Sequence, residues 1–125
     1  MTRVLVVDDE EIFRRLVRRY LEARGFEVDE ARDGIAALEC VEARPYDWVI
    51  ADNKMPHLTG ISLLFVIKTA WPGLRVVLLS GHWTDEELHL AKQHGAERAL
   101  LKAGNVLQRL HHTLAPADPR FLHAS

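Results

Sequence analysis

The sequence predicts a doubly wound α/β fold: one five-stranded parallel sheet with helices on both faces. Three observations point there. Short apolar runs recur along the chain, and most are apolar throughout, as suits strands buried on both faces. Each run is followed by a longer stretch whose apolar residues return at helical spacing. Polar residues of a restricted kind (acids, a serine, a lysine) close the runs, where open sheets of this class keep their ligands.

Residues 4–7 are the first strand, ended abruptly by Asp8, Asp9, Glu10 and Glu11. Ile12, Phe13, Leu16, Val17, Tyr20 and Leu21 then mark the apolar side of a first helix, with Arg14, Arg15, Arg18 and Arg19 on the other. Acids at its start suit the positive end of the helix dipole, and Gly25 stands where the helix should stop. Residues 26–31 read as a short alternating strand, Asp33-Gly34 as a turn, and residues 35–44 as a second helix stopped by Pro45. The third strand, residues 46–51, ends in Asp52. A loop over 53–59 containing Met55-Pro56 leads to Gly60, and a third helix over 61–70 closes at Trp71-Pro72-Gly73. Residues 74–79 are the fourth strand, ending at Ser80-Gly81. Thr84 and Glu87 match the N-cap and N3 positions of a capping box and open a fourth helix that runs to Gly95. Residues 96–101 are the fifth strand, ending in Lys102, and residues 105–114 the last helix. The domain is therefore expected over 1–115, with 116–125 as a tail or linker stub.

A chain of 125 residues is one domain's worth and can fold without disulfides or a structural metal. Lys and Arg number 16 against 18 Asp and Glu, so no bulk positive charge is available and no direct nucleic-acid binding is expected. The single Cys40 excludes an internal disulfide, fits a reducing cytoplasm, and reads as a packing residue beside Val41. No apolar run approaches the roughly 18 residues of a membrane span, and the N-terminus lacks the pattern of a signal peptide. The histidine spacings do not make a metal site: neither His89 with His94 nor His111 with His112 shares a helix face. The arginine stripe reads as a solvated face, with partner docking as the sharper alternative.

For a flavodoxin-like strand order of 2-1-3-4-5, strands one and three are neighbours at the switch point, so Asp8, Asp9 and Asp52 would converge in one cleft. Three carboxylates together repel one another and need a cation among them. Oxygen ligands suit a hard dication, and Mg²⁺ fits best, because it takes one or two carboxylates, waters and a phosphate oxygen. Lys102 adds a fixed positive charge and Ser80 a hydroxyl; no His ends a strand, which excludes Ser-His-Asp chemistry. The set suits a phosphoryl group, with a carboxylate as nucleophile and cations neutralising the transferred oxygens.

Four pieces follow one another on successive strand ends: Val-Leu-Val-Val before Asp8-Asp9-Glu10; Asp52-Asn53-Lys54-Met55-Pro56 with Gly60 beyond; Leu-Leu-Ser80-Gly81; and Leu-Leu-Lys102. In that order they resemble the response-regulator receiver family of two-component signalling, over residues 3 to about 115. The resemblance implies a CheY-like receiver, a signalling module and not an enzyme. It would accept a phosphoryl group on Asp52 from a phosphohistidine of a sensor histidine kinase or phosphotransfer protein, and so switch its binding to a downstream partner. It also implies Mg²⁺ held by Asp8, Asp9, Asp52 and the backbone carbonyl of Lys54, with Ser80 and Lys102 on the phosphoryl oxygens. Lys54 and His82, each two residues beyond a phosphoryl-contacting residue, are expected to tune the lifetime of the acyl phosphate.

Two positions depart from the family's pattern. Ala99 stands where an aromatic ring usually precedes the lysine by three residues, and Ala103 where a proline usually follows it. Trp83, three residues past Ser80, is expected to fill part of the space left at Ala99 and to report the movement of Ser80. A phosphatase of the haloacid-dehalogenase type would place a second Asp where Lys54 stands, and a flavodoxin-type nucleotide binder would not put acids after strand one. The reading that Ala99 leaves open is a phosphorylation-independent pseudo-receiver that signals by pairing alone.

Overall fold

The computed structural model describes residues 1–114. Strands and helices alternate throughout: β1 (Arg3–Val7), α1 (Glu11–Glu22), β2 (Glu27–Ala31), α2 (Gly34–Ala43), β3 (Trp48–Asp52), α3 (Gly60–Ala70), β4 (Arg75–Ser80), α4 (Asp85–Gln93), β5 (Arg98–Leu101) and α5 (Val106–Leu114). The strands pair in parallel in the order β2-β1-β3-β4-β5, as expected. The tail expected over 116–125 lies outside the described residues. Among those described, no helix is long and apolar enough to cross a membrane.

The continuous apolar runs have a simple reason. Successive strand residues point to opposite faces, and both faces are covered. Leu5, Val7, Val49, Ala51, Val76 and Leu78 meet a layer closed by Ala37 of α2, Leu64 and Ile67 of α3 and Ala91 of α4. Val4, Val6, Trp48, Ile50, Val77 and Leu79 meet Val17 and Leu21 of α1 and Leu110 of α5. Each fully buried Val, Leu or Ile among them stabilises the fold by about 1.5–3 kcal/mol. Cys40 is half-buried against the first layer, in keeping with a packing role, and burial pushes its thiol pKa up.

Several boundaries move by a residue or two, and capping explains two of them. Asp33, read as part of a turn, is the N-cap of α2 and accepts from the Ala36 amide at 2.8 Å, so the helix begins at Gly34. Thr59 caps α3 in the same way through Ser62, which starts that helix at Gly60. The apolar side of α1 is narrower than its sequence pattern. Val17 and Leu21 are fully buried, whereas Ile12 is 87 % and Leu16 49 % exposed. Arg14 is likewise not on a solvated face: its Nε donates to Glu30 at 2.7 Å and another guanidinium nitrogen to the Asp8 carbonyl at 2.8 Å. Helix α1 leans toward the edge strand β2, where Glu30 supplies the countercharge that makes a half-buried arginine tolerable.

Gly60 is required by close approach. A Cβ there would lie 2.8 Å from both the Asn53 Cα and the Asp52 carbonyl oxygen, which are backbone atoms unable to rotate aside. A Cβ at Gly73 would meet nothing within 4 Å. Gly60→Ala is expected to destabilise by about 1–3 kcal/mol and Gly73→Ala by less than about 0.5. Thermal unfolding of the two variants checks this; equal melting temperatures would show that the Asp52–Gly60 loop is not tightly closed.

Candidate functional site

The carboxyl ends of β1, β3, β4 and β5 deliver Asp8, Asp52, Ser80 and Lys102 to one edge of the sheet. The register sets β1 beside β3, pairing Val7 with Ala51, so Asp8 and Asp52 come together one residue further on. Alternation of side chains adds a second constraint. Val6, Ile50 and Leu100 point to the α1/α5 face, and two residues along the same is true of Asp8, Asp52 and Lys102. On β4, Val76 and Leu78 point to the α3/α4 face, so Ser80 belongs to that side.

Asp8 and Asp52 are only 1 % and 5 % exposed. Asp8 Oδ1 accepts from the Glu10 amide at 2.9 Å; its Oδ2 is buried and takes no hydrogen bond, with the Lys102 Nζ 2.9 Å away. The same ammonium donates to Glu10, lies 3.8 Å from Asp52 Oδ2, and sits 4.5 Å above the Phe13 ring. Burial pushes the Asp52 carboxyl up to about 6, helped by the charge on Asp8 and opposed by Lys102. Burial also raises Asp8, against the Glu10 amide and Lys102. Burial works against the charge of Lys102, but Glu10, Asp8 and Asp52 outweigh it and raise its pKa.

Ser80 is fully buried, and its hydroxyl turns into its own loop. It donates to the His82 carbonyl at 2.7 Å and accepts from the His82 amide at 3.2 Å. The His82 side chain is exposed, and Gly81 lines the cleft in its place. Trp83 next to it is half-buried against the same apolar layer as Ala99, and its Nε1–H donates to the Leu100 carbonyl at 2.9 Å. The Ala103 amide donates to Leu101 at 2.9 Å, a bond that a proline there could not make.

The loop after β3 is held as firmly as the strands. The Asn53 amide donates to Leu79, its carbonyl accepts from Gly60, and its Oδ1 accepts from the Ile61 amide. Its Nδ2 and the Lys54 Nζ both donate to Glu87 Oε2, at 3.1 and 2.6 Å. Asp9, Glu10, Phe13, Asp52, Lys54, Gly81 and Lys102 line an open cleft of about 540 Å³.

Oxygens of Asp8, Glu10 and Asp52 lie within 4.8 Å of one another. Glu10, not Asp9, is thus the third close carboxylate; Asp9 is exposed on the cleft wall. An all-oxygen donor set, a buried Asp8 oxygen that faces the Lys102 ammonium without a hydrogen bond, and a raised Asp52 all fit a hard divalent cation. The acidic run 8–11 contained the signal for Glu10, but its strand-to-helix position gives each acid a second explanation. Glu87 is hidden in the same way by its capping role, and Asn53 carries no charge to mark it.

The raised pKa of Asp52 has a consequence for stability. The folded chain holds that proton more tightly than the unfolded one, so stability falls as pH rises from about 4 to about 6. Asp52→Asn removes the ionisation and is expected to be the more stable protein above pH 6, by at most about 3 kcal/mol. Melting curves of both proteins from pH 4 to 8 in chelator check this; a variant less stable than wild type at pH 7.5 contradicts it.

The comparisons with known proteins agree with the geometry. The family model described as "Response regulator receiver domain" matches residues 4–115. A probable transcriptional regulatory protein NarL of Mycobacterium tuberculosis is 37 % identical over 102 residues, covering 80 % of this chain and 47 % of that protein. The chain thus spans about half the length of that relative. A response regulator receiver domain protein from Clostridium thermocellum superposes with a TM-score of 0.86 at 31 % identity, covering all of both chains. The response regulator protein TrrA from Thermotoga maritima, solved in complex with Mg²⁺-BeF, matches with a TM-score of 0.79 at 28 % identity over 90 % of this chain and 99 % of that one. Sequence, strand order and the acidic strand ends agree in placing this chain in the response regulator receiver family.

Proposed function

We propose that this domain accepts a phosphoryl group on Asp52 from a phosphohistidine of a sensor histidine kinase or phosphotransfer protein, and that the modification switches its binding to a downstream partner. The observation that supports this most is the meeting of Asp8, Asp52 and Lys102 in one buried, net-acidic corner. A carboxylate oxygen of Asp52 would bond to phosphorus as the phosphorus–nitrogen bond breaks, the electron pair returning to the imidazole, which takes up a proton from solvent. Mg²⁺, held by Asp8, Asp9, Asp52 and the Lys54 carbonyl with Glu10 at hand, would neutralise charge on the transferred oxygens. The Lys102 ammonium, already 3.8 Å from Asp52, would pair with a phosphoryl oxygen. Lys54 on the cleft wall, and His82 exposed on the loop next to Gly81, would set the lifetime of the product.

The readout follows from proton counting. A hydroxyl has one proton to donate, and Ser80 spends it on the His82 carbonyl. Donating to a phosphoryl oxygen on Asp52 would break that bond and loosen the segment that carries Trp83, whose indole is pinned to Leu100. Trp83 would thus act in place of the ring that Ala99 lacks, as a large rigid group with two packings.

Incubation with Mg²⁺ and acetyl phosphate is expected to add the mass of one phosphoryl group, and Asp52→Asn to abolish the addition. An unmodified wild-type chain would favour a phosphorylation-independent binding module. Addition of Mg²⁺ with beryllofluoride is expected to change tryptophan emission, and Trp83→Phe to remove most of that change. A response that survives in Trp83→Phe and vanishes in Trp48→Phe contradicts the role given to Trp83.

A further inference from the structure

Glu87 holds more than its capping box requires. Its Oε1 accepts from the Thr84 amide at 3.0 Å, which completes the box at the start of α4. Its Oε2 faces the other way, toward the loop after β3, and accepts from both Lys54 and Asn53. Asn53 is buried and fixed through its amide, carbonyl and side-chain oxygen, so its end of this contact is rigid. Lys54 is the mobile member: its side chain is 59 % exposed, and Glu87 is the one acid with which it pairs among the described residues. The Lys54 ammonium, helped by the Thr84 amide, holds the Glu87 carboxyl well below the usual carboxylate range.

Lys54 also lines the cleft over Asp52. The position of its ammonium therefore decides whether its four-carbon stem lies along the lip of the cleft or swings away from it. We propose that Glu87 is a positioning residue for the hydrolysis of the Asp52 acyl phosphate: it fixes the Lys54 side chain along the lip of the cleft, where the stem obstructs the attacking water. The proposal rests on the phosphoacceptor reading above. In the step concerned, a water oxygen bonds to phosphorus while the phosphorus–oxygen bond to Asp52 breaks. The electron pair returns to the carboxylate, and a water proton passes to solvent as inorganic phosphate leaves. An ion pair between the start of α4 and the loop after β3 thereby sets the duration of the signal without touching the reacting atoms.

The test measures loss of phosphoryl-protein after removal of acetyl phosphate, in wild type, Glu87→Gln, Lys54→Ala and the double variant. Gln also serves at the N3 position of a capping box, so Glu87→Gln keeps α4 intact, which circular dichroism verifies. Glu87→Gln is expected to speed hydrolysis about two- to fivefold, the bias that an ion pair of this exposure can supply. It is expected to change nothing in the Lys54→Ala background, because the two residues act through one contact. Raising the salt concentration should shorten the wild-type lifetime and leave that of Glu87→Gln unchanged. A rate unchanged or slowed in Glu87→Gln, or an equal acceleration in both backgrounds, overturns the positioning role. Failure of the wild type to take up a phosphoryl group overturns the phosphoacceptor reading itself, and the inference with it.

Discussion

Two carboxylates buried at the ends of adjacent strands dominate this molecule. Asp8 and Asp52 are nearly sealed from water, and one ammonium, that of Lys102, faces both. Burial and mutual repulsion both oppose their ionisation, which is why Asp52 is pushed up to about 6. A site with more negative charge than its own cations can balance is poised to take up cationic or charge-neutralising groups. The apolar layers on either side of the sheet supply the stability that lets this edge remain uncompensated.

The alternation of strand side chains divides the work. Asp8, Asp52 and Lys102 project with the α1/α5 layer, while Ser80 belongs with Trp83 and Ala99 on the α3/α4 layer. A group bound to Asp52 can therefore be sensed on the other side only by something that reaches round the strand end. The Ser80 hydroxyl, with its single proton and its present partner in the His82–Trp83 loop, is placed for that.

The loops that frame the site are as closely specified as the strands. Gly60 brings the start of α3 against the backbone of Asp52 and Asn53, and Asn53 bonds in turn to β4, to α3 and to the first turn of α4. Residues that look like ordinary helix punctuation do double duty here. Glu87 closes a capping box and also takes up Lys54, and Arg14 belongs to α1 yet donates to the carbonyl of Asp8.

What the sequence determined by itself was the order of elements, the strand order through its resemblance, and the meeting of Asp8, Asp52 and Lys102. Apolar runs, helical spacing and charged strand ends are local or topological signals, and a parallel sheet with both faces covered turns them directly into position. Helix starts at Asp33 and Thr59 needed cap geometry, because Asp before Gly and Thr before Gly serve turns and caps equally well. The inward lean of Arg14, the exposure of Ile12 and Leu16, and the closeness of Glu10 to Asp8 and Asp52 were decided by how α1 settles on the sheet edge. The bridge from Glu87 to Lys54 and Asn53 likewise exists only once α4 lies beside the loop after β3. Pairings between residues far apart in sequence leave no periodic trace in the chain, so tertiary packing alone could select them.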